Sequence, residues 1–174
     1  TFSILVHGAT ACSTIVVFRK DIASLISGAF TTSGAERKTA NAYVLWLTIS
    51  TLPAILVAFT MRDFLEMAFL EHPRRVGWSL CLTAVILYTS ERIAGSGSSN
   101  LNWGCALSIG LAQALAIIPG ISRSGSTIGA ALALGISREE AARFSFLMAL
   151  PVIFGATALE LSLIHISEPT RPSL

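Results

Sequence analysis

Apolar residues in this chain come in long blocks parted by short polar connectors. The first block covers 2–18 and stops at Arg19, Lys20 and Asp21. The second covers 43–59, with Trp46 near one end and Pro53 inside. The third covers 76–88, between Arg74 and Arg75 on one side and Glu91 and Arg92 on the other. The fourth opens at Trp103 and runs to Ile118, where Pro119 and Gly120 stop it. A shorter apolar piece, 128–136, follows a hydroxyl-rich stretch, and the fifth long block covers 144–161 with Pro151 inside. A helix needs about 20 apolar residues to cross a bilayer. The pattern therefore predicts an all-α, polytopic transmembrane helical bundle. Pro53 and Pro151 predict kinks that neighbouring groups re-satisfy.

The 128–136 piece is too short to cross alone. A half-helix, a Pro-Gly break, a polar loop and a second half-helix predict a re-entrant helical hairpin. Irregular backbone at membrane depth is tolerated only when it is buried in protein or lines a wet cavity. The loop is thus expected to be a site rather than a connector. It reads Pro119-Gly120-Ile121-Ser122-Arg123-Ser124-Gly125-Ser126-Thr127. An arginine at membrane depth is costly without a partner, and the simplest partner here is an anion. Its planar fork of donors fits phosphate oxygens bidentately. The hydroxyls add donors, and Gly120 and Gly125 let backbone N–H groups come close. Thr127 is read as opening the following helix, which would put the loop at a positive helix end. The plainer alternative for these hydroxyls is capping of the short helix by Ser124 or Ser126.

Composition narrows the class. The chain is 53% hydrophobic and 13% charged, and its mean hydropathy of +0.70 is that of a membrane protein. A net charge of +2 gives no case for nucleic acid as a partner. Cys12, Cys81 and Cys105 have no metal spacing and read as buried thiols filling apolar packing. Arg19, Lys20, Arg37 and Lys38 suggest a cytoplasmic connector between the first two blocks. The next connector mixes Arg62, Arg74 and Arg75 with Asp63, Glu66 and Glu71. If that one faces outward, the hairpin enters from the cytoplasmic side with its tip near mid-membrane. Residues 95–100 read as a flexible loop. A short echo links Phe2-Ser3-Ile4-Leu5 with Phe144-Ser145-Phe146-Leu147, and Gly8-Ala9-Thr10-Ala11 with Gly155-Ala156-Thr157-Ala158. Repeats with broken helices around a central site recur in membrane proteins.

Both ends affect the domain reading. Thr1 lies inside an apolar block, so the chain is expected to be part of a longer protein. The run from Leu161 to Arg171 resembles a translated sequencing-library adapter. The expected domain is therefore a partial integral-membrane domain over 1–161. Residues 162–174 are expected to be a non-native read-through tail, in which His165 carries no functional weight.

With Gln113 upstream of the loop, and Phe144-Ser145-Phe146-Leu147 and Pro151 downstream, the chain resembles the undecaprenyl-diphosphate phosphatase family of the bacitracin-resistance type. The similarity runs from Thr1 to about Leu161 and includes Phe2, Pro53, Asp63 and Glu91. The resemblance implies a multi-pass enzyme of the bacterial inner membrane. Such an enzyme removes the terminal phosphate of undecaprenyl diphosphate and so recycles the lipid carrier of cell-wall synthesis. It implies two re-entrant hairpins in an inverted repeat and a divalent metal ion, magnesium or calcium, as cofactor. The family's second motif is carried by 119–127. Its first, rich in glutamate and ending in a Ser-Ser-Thr-Gly-His stretch, should precede Thr1, and the metal's carboxylates are expected there. The chain by itself is accordingly expected to be inactive and poorly stable in detergent.

The resemblance and the loop chemistry together suggest roles. Arg123 clamps the diphosphate and offsets charge during phosphoryl transfer; the plainer alternative is an arginine tying down hairpin carbonyls. Ser122, Ser124 and Thr127 are counted with it as catalytic donors to phosphate oxygens, with helix capping as a second use. Gly120, Gly125, Ser126 and Gln113 are substrate-binding candidates. Gln113 either orients water, a metal-bound group or the loop, or makes an interhelical hydrogen bond. His7 is expected to make a core contact and His72 to be solvated. Arg138, Glu139, Glu140 and Arg143 should form a charged helix start touching headgroups, with Glu91 structural. The partners are then the lipid diphosphate and membrane lipids, and a homodimer is compatible with this. A transporter or flippase that holds a phosphate-bearing lipid without cleaving it is the competing reading.

Overall fold

The computed structural model describes residues 2–30, 34–70, 72–93, 97 and 100–167. Side chains are described there except at 2–7, 29, 62, 63, 66, 70, 93 and 156–167. The expectations placed on His7, Arg62, Asp63, Glu66, Glu71, His165, most of loop 95–100 and the end of the 162–174 tail lie outside what is described.

The described residues are helical in seven runs: α1 (Phe2–Val17), α2 (Arg19–Phe30), α3 (Gly34–Leu70), α4 (Pro73–Ile93), α5 (Trp103–Leu115), α6 (Arg123–Ala133) and α7 (Arg138–Ser167). The all-α expectation holds. Three boundaries differ from those expected. The charged connector after the first block is itself helical, as α2. The third block extends outward at both ends, because its flanking charged residues are good helix formers. The second block becomes a helix of 37 residues, about 55 Å long, of which Gly34–Met61 is long and apolar enough to cross a membrane. Only 17% of that segment's most apolar window is buried, so it is not the core helix of a water-soluble domain. Phe30, Leu56, Phe59, Trp78 and Trp103 are also exposed. An apolar exterior on this scale is what a lipid solvent requires.

Pro53 does not interrupt α3. One turn earlier the Ser50 and Thr51 hydroxyls donate back to the Leu47 and Thr48 carbonyls at 2.8 Å each. Next to them α5 crosses α3 almost backbone to backbone: a Cβ built on Gly110 would lie 2.4 Å from the Ser50 carbonyl oxygen. Small residues give membrane helices this close approach. The core lies between α3, α5, α6 and α7. Phe144, Met148, Ile109 and Ala106 are fully buried there beside Cys105. Cys12 and Cys81 are exposed, which corrects the expectation of three buried thiols. They occupy outward positions of α1 and α4.

Helices α5 and α6 form the re-entrant hairpin. A Cβ on Gly97, before α5, would touch Ser137, after α6, at 2.8 Å. The hairpin thus starts and ends at one side of the bundle. The same side holds the end of α4, through the Arg138–Glu91 ion pair of 3.9 Å, and the start of α2, through Arg143–Asp21 at 3.2 Å. It is therefore the side of Arg19 and Lys20. The hairpin's turn reaches the other way: Gly120 lies against Val76 and Ser79 near the start of α4. Counted along α4 from Glu91 to Ser79, the turn lies about 18 Å in, and the start of α6, level with Thr83, about 12 Å in.

The two segments that echo one another in sequence, α1 and α7, also pack together, with Phe18 and Phe146 stacked at 5.6 Å.

Candidate functional site

The turn between α5 and α6 is shaped by one glycine and one threonine. Gly120 has φ +93°, a left-handed conformation that only glycine adopts at low cost. A Cβ there would also sit 2.8 Å from the Val76 carbonyl oxygen. From the neighbouring helix, Thr83 Oγ1 donates to the Gly120 carbonyl at 3.0 Å and accepts from the Ser122 N–H at 3.0 Å. One hydroxyl thus holds both sides of the bend.

Helix α6 begins earlier than expected. Ser122, in extended backbone, is its N-cap, and its Oγ accepts from the Gly125 N–H at 3.1 Å. Arg123, Ser124, Gly125, Ser126 and Thr127 lie inside the helix. Neither Ser124 nor Ser126 caps it, and Thr127 does not open it. The physical reason is that Ser122 is the first residue whose backbone can be extended after the glycine turn while its hydroxyl reaches the first helical donors. Gly125 is helical rather than a turn residue. It permits close packing, since a Cβ there would meet Leu87 and the Ser122 side chain at 3.1 Å.

Arg123 stands at the first position of α6 and is half-buried. Its Nε donates to Gln113 Oε1 at 2.9 Å and its Nη2 to the same oxygen at 2.7 Å. Nη2 also reaches the Met148 carbonyl at 3.4 Å. Nη1 makes none of these contacts. The ion pairs among the described residues join Arg138 to Glu91, and Arg143 to Asp21, Glu139 and Glu140. None of them involves Arg123. The guanidinium is therefore held by neutral oxygens, and its charge is not cancelled by a described carboxylate. The N–H groups of Arg123 and Ser124, in the first turn of α6, enter none of the hydrogen bonds found. Free first-turn donors, a helix dipole and an uncancelled guanidinium on the same turn are features that favour an anion.

The structure distributes the expected residues unevenly. Gln113 is brought into direct contact with Arg123 although ten positions separate them. Ser124 is exposed on the same turn. Ser126 and Thr127 are buried. Thr127 Oγ1 donates to the Arg123 carbonyl at 2.9 Å and lies 2.6 Å from Ser145 Oγ, joining α6 to α7. Thr83 and the Met148 carbonyl were not expected here from the sequence, and Ser145 entered only as part of the Phe144–Leu147 motif. The available signal was that Thr83 and Ser145 are hydroxyl side chains inside apolar blocks, where a hydroxyl normally has an assigned partner. Among the described residues no group of three or more His, Cys, Asp or Glu side chains is placed to hold a metal ion. The donor set around Arg123 does not fit a divalent cation, because its side chains are hydroxyls, an amide and a cation.

Residues 1–173 match the family described as "Bacitracin resistance protein BacA". The chain is 40% identical over 160 residues to a protein of Christiangramia forsetii named undecaprenyl-diphosphatase, covering 92% of this chain and 59% of that one. It is 40% identical over 162 residues to an undecaprenyl-diphosphatase of Elusimicrobium minutum, covering 92% and 61%. It is 36% identical over 159 residues to undecaprenyl-diphosphatase 1 of Pseudoalteromonas translucida, covering 87% and 58%. The chain thus spans about three fifths of the length of the curated relatives it matches. With a family match along almost its whole length, the chain belongs to the BacA bacitracin-resistance family.

Proposed function

We propose that this chain carries the phosphate-binding half of an undecaprenyl-diphosphate phosphatase, a multi-pass enzyme of the bacterial inner membrane acting alone or as a homodimer. The observation that carries the reading is the arginine held by a neutral amide at the start of α6, with its charge left for an anion. The names of the relatives supply the substrate: a polyprenyl diphosphate, whose hydrolysis returns the cell-wall lipid carrier as its monophosphate.

In the proposed reaction water attacks the terminal phosphorus, the bridging P–O bond breaks, and the lipid monophosphate leaves with the electron pair. Inorganic phosphate is the second product. Charge spreads over the three equatorial oxygens as the phosphoryl group transfers, so catalysis consists mainly of positioning and electrostatics. Arg123 Nη1 and the first-turn N–H groups of α6 supply donors aimed at those oxygens. Ser122 supports that turn by capping it, and Ser124 stands beside it as a further hydroxyl donor. Thr127 and Ser145 lock α6 against α7, which keeps the guanidinium from drifting. A divalent cation, magnesium or calcium, belongs to the proposal. The described residues do not offer its ligands, and no step here runs through it.

The test is inorganic phosphate release from a polyprenyl diphosphate by the full-length gene product in detergent, with and without divalent metal, alongside Arg123→Ala. Metal-dependent release that falls by about 10³-fold or more in the variant is the expected result. A folded protein that binds the lipid and releases no phosphate would overturn the phosphatase reading and leave a lipid-binding or transport role.

A further inference from the structure

The amide of Gln113 has one end in use and one end idle. Its oxygen takes two hydrogen bonds from Arg123. Its nitrogen, Nε2, is buried and makes no hydrogen bond, although Gln113 as a whole is only 3% exposed. A buried donor left without a partner is destabilising, because it has given up its hydrogen bonds to water for none in the protein. Reversing the amide does not help, because the nitrogen would then face the donors of Arg123. Native structures rarely leave such a group idle without a ligand or a catalytic reason.

The chemical choice at this position is informative as well. A glutamate on the same stem would hold Arg123 more strongly, as an ion pair. It would also cancel the charge that an anion needs. A glutamine orients the guanidinium through the same kind of oxygen and leaves the net charge at one. It adds an N–H donor pair, one carbon away from the oxygen that grips the arginine.

We infer that Gln113 positions Arg123 through its amide oxygen and that its idle amide nitrogen is a further donor to the phosphate-bearing ligand of the hairpin. This deepens the function proposed above and rests on it for the ligand class, a lipid diphosphate. Gln113, Arg123 and the first turn of α6 then form one anion cradle contributed by both arms of the hairpin. The burial of Nε2 means the ligand, or a movement of α5 against α6, completes the cradle when the phosphate arrives.

The deciding substitution is Gln113→Glu in the full-length protein. It preserves size and acceptor, removes the donor, and pairs Arg123 with a carboxylate. Binding of a short-chain polyprenyl diphosphate, its turnover and the thermal midpoint are measured together. The cradle predicts a midpoint unchanged or raised, with ligand binding and kcat/KM each weakened by about tenfold or more. A purely structural glutamine predicts the opposite pattern: the new ion pair is tolerated and binding is unchanged, which would overturn the inference. If Gln113→Glu does not fold, Gln113→Met decides, because it removes acceptor and donor without adding charge. Wild-type affinity in Gln113→Met would overturn the inference, and weakened affinity would support it. The two readings fail separately. A wild-type protein that binds the lipid without releasing phosphate sinks the phosphatase, while loss of that binding in Gln113→Glu still supports the cradle.

Discussion

Thr83→Val removes one hydroxyl and keeps the shape of the side chain. In the protein that hydroxyl accepts from the Ser122 N–H and donates to the Gly120 carbonyl, each at 3.0 Å. The variant leaves a donor and an acceptor of the turn without partners. An unsatisfied buried group costs about 1–3 kcal/mol, whereas hydrogen bonds between membrane helices average roughly 0.6 kcal/mol. Thr83, Gly120 and Ser122 are half-buried, so the two groups together should cost about 1–3 kcal/mol. That energy is lost at the bend that decides where α6 begins. It should therefore appear as a displaced Arg123 before it appears as unfolding. At about 1.36 kcal/mol per tenfold in rate, phosphate release should fall roughly 10- to 100-fold. The assay is steady-state phosphate release by the full-length protein in detergent, with a thermal melt beside it. Thr83→Ser keeps the hydroxyl and should stay within about threefold of wild type. Unchanged kcat/KM in Thr83→Val, or a Thr83→Ser protein as impaired as Thr83→Val, would refute the claim that this hydroxyl sets the turn.

Other substitutions probe neighbouring parts of the same construction. Gly120→Ala combines a φ of +93° with a Cβ 2.8 Å from the Val76 carbonyl; a loss of about 2–4 kcal/mol in stability is expected by chemical denaturation in mixed detergent. Arg123→Lys keeps the charge but loses the fork that reaches Gln113 and an anion together, so kcat/KM should fall by about 10²-fold; activity within threefold would show that charge alone suffices. Gly110→Ala would place a Cβ 2.4 Å from the Ser50 carbonyl, forcing α3 and α5 apart, and a lowered thermal midpoint equivalent to about 1–3 kcal/mol is expected.

How far the sequence could be read is clearest at Arg123. Its placement inside an apolar chain made it an anion-site candidate before any fold was known, because an unpaired guanidinium is too costly there to be incidental. Pro119 and Gly120 announced the break, and the shortness of the following apolar piece announced the return. The start of α6 was misread by several residues. The run from Ser122 to Ser126 looks like loop chemistry, and hydroxyls compete with helix in the unfolded chain. What overrides that preference is Thr83, which comes from a different helix and holds the bend closed just before Ser122.

What the sequence determined by itself is therefore the class of protein, the hairpin and Arg123 as the charged residue of its polar stretch. These follow from local quantities: the length of apolar runs, the stop signals of proline and glycine, and the cost of charge in hydrocarbon. Tertiary structure alone decided which residues surround Arg123. Gln113 reaches it because α5 and α6 lie side by side, Met148 because α7 packs against α6, and Thr83 reaches the turn because α4 runs along α6. Such partners are separated by 10 to 39 positions. They are selected by which helix faces come within hydrogen-bond reach once the backbones have closed on Gly110, Gly125 and Gly129. No local pattern encodes that choice, since the same isolated threonine or glutamine on a lipid-facing side of its helix would meet none of them.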